Sequence, residues 1–289
     1  MGKSLIIGIL IALFPVMAFA QGAGEQVKRP VKKQETKTSL PTKKKQTPKK
    51  ENEQKPVEQN LSNEEIIQNL INNMVYVEGG TFTMGATSEQ GSYTFNNEKP
   101  THQVTVSSFS IGKYEVTQEE WEAVMGNNPS AFKGAKRPVQ KVSWNDCQEF
   151  IRKLNAMTGK QFRLPTEAEW EFAARGGNKS RGYMYAGSDN INRIAWCGNN
   201  CRATHEVGQK SPNELGLYDM SGNVWEWCQD GYASYSSNSQ TNPTGDLLGT
   251  SRVIRGGSYL NYPGICRVSI RDDREPDTSN SNFGLRLAL

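Results

Sequence analysis

Residues 216–230, Gly-Leu-Tyr-Asp-Met-Ser-Gly-Asn-Val-Trp-Glu-Trp-Cys-Gln-Asp, constrain the fold more than any other stretch. Ser221, Gly222 and Asn223 favour a tight turn, because each bends the backbone or bonds to it locally. A carboxylate stands on either side, at Asp219 and Glu226. A turn between them folds both onto one point and aims the carbonyls of Gly222 and Val224 at it. Trp225 and Trp227 alternate with Glu226, the pattern of a half-buried strand. Two readings stand side by side. One is an Asx-type turn between strands with two solvated carboxylates. The other is a set of hard oxygens suited to Ca²⁺, which takes about 6–8 of them.

The segments before this turn are more regular. Residues 74–84 read as a strand pair around Gly79 and Gly80, and residues 104–111 as another. Residues 63–71 carry apolar side chains at helical spacing. Three further helices are announced by a hydroxyl followed three positions later by an acid: Thr117 with Glu120, Ser143 with Asp146, and Thr166 with Glu169. Gly159 and Gly176 stand where helices would end. From residue 177 to 242 the pattern loosens into Gly, Asn and Ser with short aromatic pieces. So long an irregular run inside a domain needs added support, for which metal and disulfides are the usual candidates.

Lys3, the apolar run 5–13 and Ala18-Phe19-Ala20 form the three parts of a secretory signal peptide over residues 1–20. The run is too short to favour a membrane span, and no cysteine lies near the cleavage point to take a lipid. A periplasmic or secreted protein is expected. Residues 21–60 hold 11 basic and 5 acidic side chains and almost nothing apolar, so they read as a disordered Lys/Pro-rich linker. Such a linker can touch an anionic surface; nucleic acid is not expected behind a signal peptide. Outside both segments the chain has 22 basic and 25 acidic residues, which excludes a basic steering field over the domain at 61–289.

Five cysteines in an exported chain point to disulfides with one thiol left over. Cys197 and Cys201 bracket a short loop and suit a local bridge. Cys147 shares a helical face with Phe150, Ile151 and Leu154 and reads as a buried thiol. Cys228 and Cys266, both in expected strands, then pair. His102 and His205 have no partner at metal-ligand or triad spacing.

Five motifs in order carry a resemblance: Val77-Glu78-Gly79-Gly80-Thr81-Phe82-Thr83-Met84-Gly85, Tyr114-Glu115-Val116-Thr117, Arg163-Leu164-Pro165-Thr166-Glu167-Ala168-Glu169-Trp170-Glu171, Leu217 through Trp227, and Arg252-Val253-Ile254-Arg255-Gly256-Gly257-Ser258. Over residues 74–289 the chain resembles the formylglycine-generating enzyme, or sulfatase-modifying factor, family. The resemblance implies an α+β, C-type-lectin-like fold with little regular secondary structure. It also implies a structural Ca²⁺ at Asp219, Gly222, Val224 and Glu226. The family's enzymes hold copper on two cysteines five apart, just after the Gly-Gly-Ser segment, and turn a sulfatase cysteine into formylglycine. Here those positions are Asn261 and Cys266. An amide is a poor copper(I) ligand beside a thiolate, so copper is not expected and Cys266 would be catalytic only in a divergent oxidase.

The closing segment is rich in contact residues, among them Tyr259, Asn261, Tyr262, Arg267, Arg271, Asp273 and Arg274. Tyr, Ser and Asn are adaptable contact residues in binding loops. A binding or structural module for a protein or glycan ligand is therefore the expected function. The alternatives are a divergent copper oxidase and, from a looser resemblance, a receptor diversified by a retroelement.

Overall fold

The structure, a computed structural model, describes residues 61–289 apart from Leu247. The signal-peptide and linker expectations lie outside the described residues. Among those described, no helix is long and apolar enough to cross a membrane.

The helices start where the capping pairs place them. α1 (Asn63–Asn72) is capped by Ser62, α2 (Gln118–Met125) by Thr117, α3 (Trp144–Thr158) by Ser143 and α4 (Glu167–Ala174) by Thr166, each reciprocated by an acid at the third helical position. Each box satisfies backbone donors that the first turn leaves free. Gly159 closes α3 in the left-handed conformation at φ 68°, where a side chain would add strain. A short α5 (Ile191–Ile194) lies in the irregular region.

The early strands form where expected but pair differently. β1 (Met74–Val77) joins β4 (Phe109–Gly112), and β2 (Gly80–Met84) joins β3 (His102–Val106). The registers nest, with Val77 opposite Phe109 and Gly80 opposite Val106. The four strands are thus one long antiparallel ribbon interrupted at residues 78–79 and 107–108. Gly79 permits the interruption: a Cβ there would lie 2.5 Å from the Val106 carbonyl. A two-residue β6 (Gln240–Thr241) pairs in parallel alongside β3.

The later strands make the sheet that organises the domain. Its order is β8 (Arg271–Arg274), β7 (Arg252–Arg255), β5 (Trp225–Gly231) and β9 (Phe283–Leu285). Successive side chains of a strand point to opposite faces. Trp225, Trp227 and Ile254 accordingly pack with Trp121, Phe150 and Leu154, while Cys228 and Val253 pack with Trp170, Phe172 and Leu217. β5 is therefore buried on both faces, not half-buried. Glu226 is fully buried within it.

No disulfide supports the irregular run among the described residues. All five cysteines are free and buried. Buried amides serve instead. Asn213 donates to the carbonyls of Ala173 and Ala174 at the end of α4 and accepts from the amides of Leu215 and Leu217. Asn223, fully buried, donates to Glu115 at 2.6 Å and accepts from the His205 amide at 3.0 Å. One such side chain satisfies several backbone groups of a loop that has no ladder to do so.

Candidate functional site

The 216–230 turn sits at the centre of the domain. Gly222 has φ +85°, and a Cβ there would meet the Trp196 carbonyl at 2.3 Å. Asp219 and Asn223 also take positive φ. The carboxylates of Asp219 and Glu226 are both buried, so the solvated turn is not what forms. Asp219 accepts the Gly208 amide through Oδ2 at 2.7 Å and leaves Oδ1 buried without a partner. The carbonyls of Gly222 and Val224 accept no hydrogen bond from the described residues.

Glu226 departs from the four-ligand expectation. It is held by Arg286 at 2.7 Å and accepts the Trp170 indole N–H at 2.6 Å. Arg286 follows directly after β9. Glu115, which the spacing argument did not select, joins the cluster by accepting the Val224 amide at 3.1 Å. Burial, then the nearby Asp219 and Glu226, push the Glu115 carboxyl well above its usual range. Burial raises Asp219 to about 6 against the Gly208 amide and Arg286. Three carboxylates thus surround one guanidinium. Within this set, the Asp219 oxygen and the two carbonyls fit a hard cation, while Glu226 contributes charge and is already engaged.

The closing segment packs over this turn. Gly256 and Gly257 have φ +94° and +72°, and the Tyr259 amide donates to Asn223. Asn261 accepts the Ser258 hydroxyl through Oδ1 at 2.6 Å. Cys266 follows a 3₁₀ turn (Pro263–Ile265) and is fully buried, in a loop and not a strand. Burial, then Cys197, pushes its thiol far above the ordinary thiol range. A thiolate is the form that binds copper. At the two positions the family's enzymes use, this chain thus places a hydrogen-bonded amide and a buried thiol.

The expected disulfides are not formed. Cys228 lies in the Trp170 cluster, whereas Cys266 lies with Cys197, Tyr185 and Ile194, so Cys228 and Cys266 are separated. The sheet places Cys228 on its α4 side, which sequence spacing does not reveal. Cys201 donates to the Cys197 carbonyl at 3.2 Å, and both stay as thiols. Among the described residues no group of three Cys, His, Asp or Glu side chains converges as metal ligands.

An open cleft of about 410 Å³ borders the closing segment, lined by Phe95, Trp225, Asn261, Arg274, Asn282 and Phe283 among others. Arg271 and Asp272 reach the same cleft. Tyr262 is 76% exposed nearby in sequence and does not line it, nor does the half-buried Asp273. Tyr259 and Arg267 are buried instead. Tyr259 packs edge-on to Phe132. Arg267 forms a two-bond pair with Glu98 at 2.7 and 2.8 Å. Neither lines the cleft. Asn282, one of the polar residues of the closing segment, is 8% exposed, donates to Ser258 and leaves Oδ1 without a donor. Phe95 and Trp225 add apolar surface from distant parts of the chain.

The sequence profile described as "Sulfatase-modifying factor enzyme 1-like domain" matches residues 58–289. The chain is 34% identical to "Chaperone protein LppX" of Paenibacillus barcinonensis, over 74% of this chain and 88% of that one. It is 32% identical to "Formylglycine-generating enzyme" of Streptomyces coelicolor, again over 74% and 88%. Among solved structures, "Treponema denticola variable protein 1" aligns with a TM-score of 0.68 at 32% identity, covering 74% of this chain and 94% of that one. "Structure of PvdO from Pseudomonas aeruginosa" aligns with a TM-score of 0.65 at 27% identity, covering 74% and 93%.

Proposed function

The chain belongs to the sulfatase-modifying-factor family, and from that premise we propose that it is a non-oxidase binding module of that fold. The observation that carries this reading is the pair Asn261 and Cys266: a hydrogen-bonded amide and a fully buried thiol stand where the family's enzymes hold copper. The cleft beside them supports recognition. It combines apolar walls from Trp225 and Phe283 with the charged Asp272 and Arg274 and the free acceptor of Asn282. Such a mixture of a few convergent polar groups on apolar walls suits a ligand site. The ligand is a protein or a glycan, and a relative named as a chaperone protein favours a protein. The export expected from residues 1–20 would put this binding in the periplasm or outside the cell.

The calcium reading rests on the Asp219 oxygen without a donor, the free Gly222 and Val224 carbonyls and the excess of buried carboxylates. Ca²⁺ there would tie the central turn together and would do no chemistry.

The test of the module reading incubates copper-loaded protein with a Cys-x-Pro-x-Arg peptide in air and looks for the aldehyde by mass spectrometry. No conversion is expected from the native chain. Conversion that vanishes in Cys266→Ala would restore the oxidase. A second reading, in which the closing segment is a variable recognition surface, draws on the likeness to the Treponema denticola variable protein. Sequences from many isolates would then differ mainly at the cleft-facing positions of residues 255–286. An even spread of differences would remove that reading.

A further inference from the structure

A second cleft, of about 360 Å³, opens between α4, β3 and the segment after β5. Its size lies in the range of about 300–1,000 Å³ seen for small-ligand sites. Its deepest polar residues are Glu167, Asp230, His102 and Arg271, each no more than 4% exposed.

Two of these are satisfied by each other. Arg271 pairs with Glu167 through two bonds at 2.7 and 2.6 Å, and the Tyr235 hydroxyl donates to the same carboxylate at 3.1 Å. Arg271 also lies over the Tyr235 ring at 4.0 Å. The pair is neutral and its bonding is complete within the wall.

The other two are not satisfied. Asp230 accepts the first amide of α4, that of Glu167, through Oδ2 at 2.9 Å. Its Oδ1 has no donor among the described residues. His102 bonds through Nδ1 to the Pro100 carbonyl at 3.2 Å. A carbonyl only accepts, so Nδ1 carries a proton, and in the neutral tautomer this leaves the lone pair on Nε2. Nε2 likewise has no partner among the described residues. The rim adds the exposed Asp246. The cleft therefore holds unpartnered polar atoms and two acidic side chains, Asp230 and Asp246, that form no ion pair with a basic side chain among the described residues.

From this set we infer that the cleft binds a primary ammonium group, seated on Asp230 Oδ1 and His102 Nε2, carried either by a small alkylamine or by a lysine side chain. An ammonium is a compact cation with three donors and no acceptor. It supplies the donors that both atoms lack and the charge that Asp230 lacks. A neutral alcohol supplies a donor without the charge, and an anion meets two carboxylates. The two clefts share Arg271, but neither Asp230 nor His102 lines the cleft at the closing segment, so this reading stands independently of that one.

The proposal has a pH signature. Burial, then Glu167, holds the Asp230 carboxyl up to about 8. Glu169 raises it further and Arg271 lowers it; His102, Tyr235 and Asp246 complete the charged or titratable lining. An ammonium prefers the ionised acid, so binding near neutrality must release a proton. Affinity should rise about tenfold per pH unit up to about 8 and level off above it.

The experiment titrates n-butylammonium against n-butanol on the full chain, by ligand-observed NMR and by calorimetry at pH 6, 7 and 9. A peptide pair, acetyl-Gly-Lys-Gly-amide and its Nε-acetylated form, forms the second arm. Butylammonium should bind at roughly millimolar affinity, with the alcohol and the acetylated peptide silent. Binding of butylammonium alone assigns the site to a small amine, and binding of both cations extends it to lysine side chains. Asp230→Asn keeps an acceptor for α4 and should abolish binding with an unchanged circular dichroism spectrum. If that variant fails to fold, Asp246→Asn on the rim should weaken binding several-fold. Equal binding of alcohol and ammonium, affinity independent of pH, or full affinity in a folded Asp230→Asn chain would overturn the proposal.

Discussion

Arg286→Met is the substitution that bears most on the centre of the fold. Arg286 is fully buried. It bonds Glu226 through Nε and Nη2, the Gly112 carbonyl at 2.9 Å and the Tyr218 carbonyl at 2.8 Å. One side chain thereby joins β4, the central turn and β5. Methionine roughly fills the space but supplies no donor and no charge. Glu226 is left with the Trp170 indole, and Glu115 and Asp219 lose the guanidinium that offsets them. Breaking a buried pair from one side costs about 3–5 kcal/mol, out of a typical total of about 5–15 kcal/mol. For a domain of this size that lowers Tm by roughly 6–20 °C, at about 2–4 °C per kcal/mol. The assay is urea denaturation of the wild type, Arg286→Met, Glu226→Leu and the double variant, at one fixed calcium concentration because a bound ion shifts the midpoint. The double variant should be less damaged than the sum of the singles by about 1–3 kcal/mol. A loss below about 1 kcal/mol in Arg286→Met, or additivity within about 0.5 kcal/mol, would refute the reasoning.

Three further outcomes are expected. Gly257→Ala should cost about 2 kcal/mol or more by thermal or urea melts, because φ is +72° and the new Cβ would lie 2.6 Å from the Ile265 carbonyl and 2.8 Å from Cys266 Sγ; a melt like wild type would contradict that packing. Chelation should lower Tm, and Ca²⁺ should restore it better than Mg²⁺; a midpoint indifferent to both, with no calcium in elemental analysis, would remove the metal from the central turn. Asp230 is protonated more tightly in the folded state, up to about 8, than in the unfolded chain. Its contribution to stability therefore falls as pH rises from about 4 to 8 and is flat above. Denaturant midpoints against pH should show that slope reduced in Asp230→Asn, and parallel curves would contradict it.

Local chemistry was legible in the sequence. The three interior capping boxes needed only a hydroxyl, an acid and a spacing of three, and their bonds close within one turn of helix. The turn at Gly222 was legible for the same reason. The ordered motifs carried the α+β fold of the family, and Asn261 was readable as a position where a copper ligand is missing. Pairing was not legible. Val77 meets Phe109 and Gly80 meets Val106 because the ribbon breaks on both strands at once, a relation between segments some thirty residues apart. The cysteines show the same limit, since which face of the sheet carries Cys228 depends on the register of β5. Glu226 looked like a free carboxylate, and only the return of the chain end brought Arg286 beneath it. Both clefts are likewise assembled from distant segments: Phe95, Trp225 and Asn282 at one, His102, Asp230 and Arg271 at the other. The sequence by itself determined where helices begin, where the chain turns and which side chains are on offer. Tertiary structure alone decided which of them are buried without a partner, because desolvation and missing donors arise only when segments remote in sequence close over the same atom.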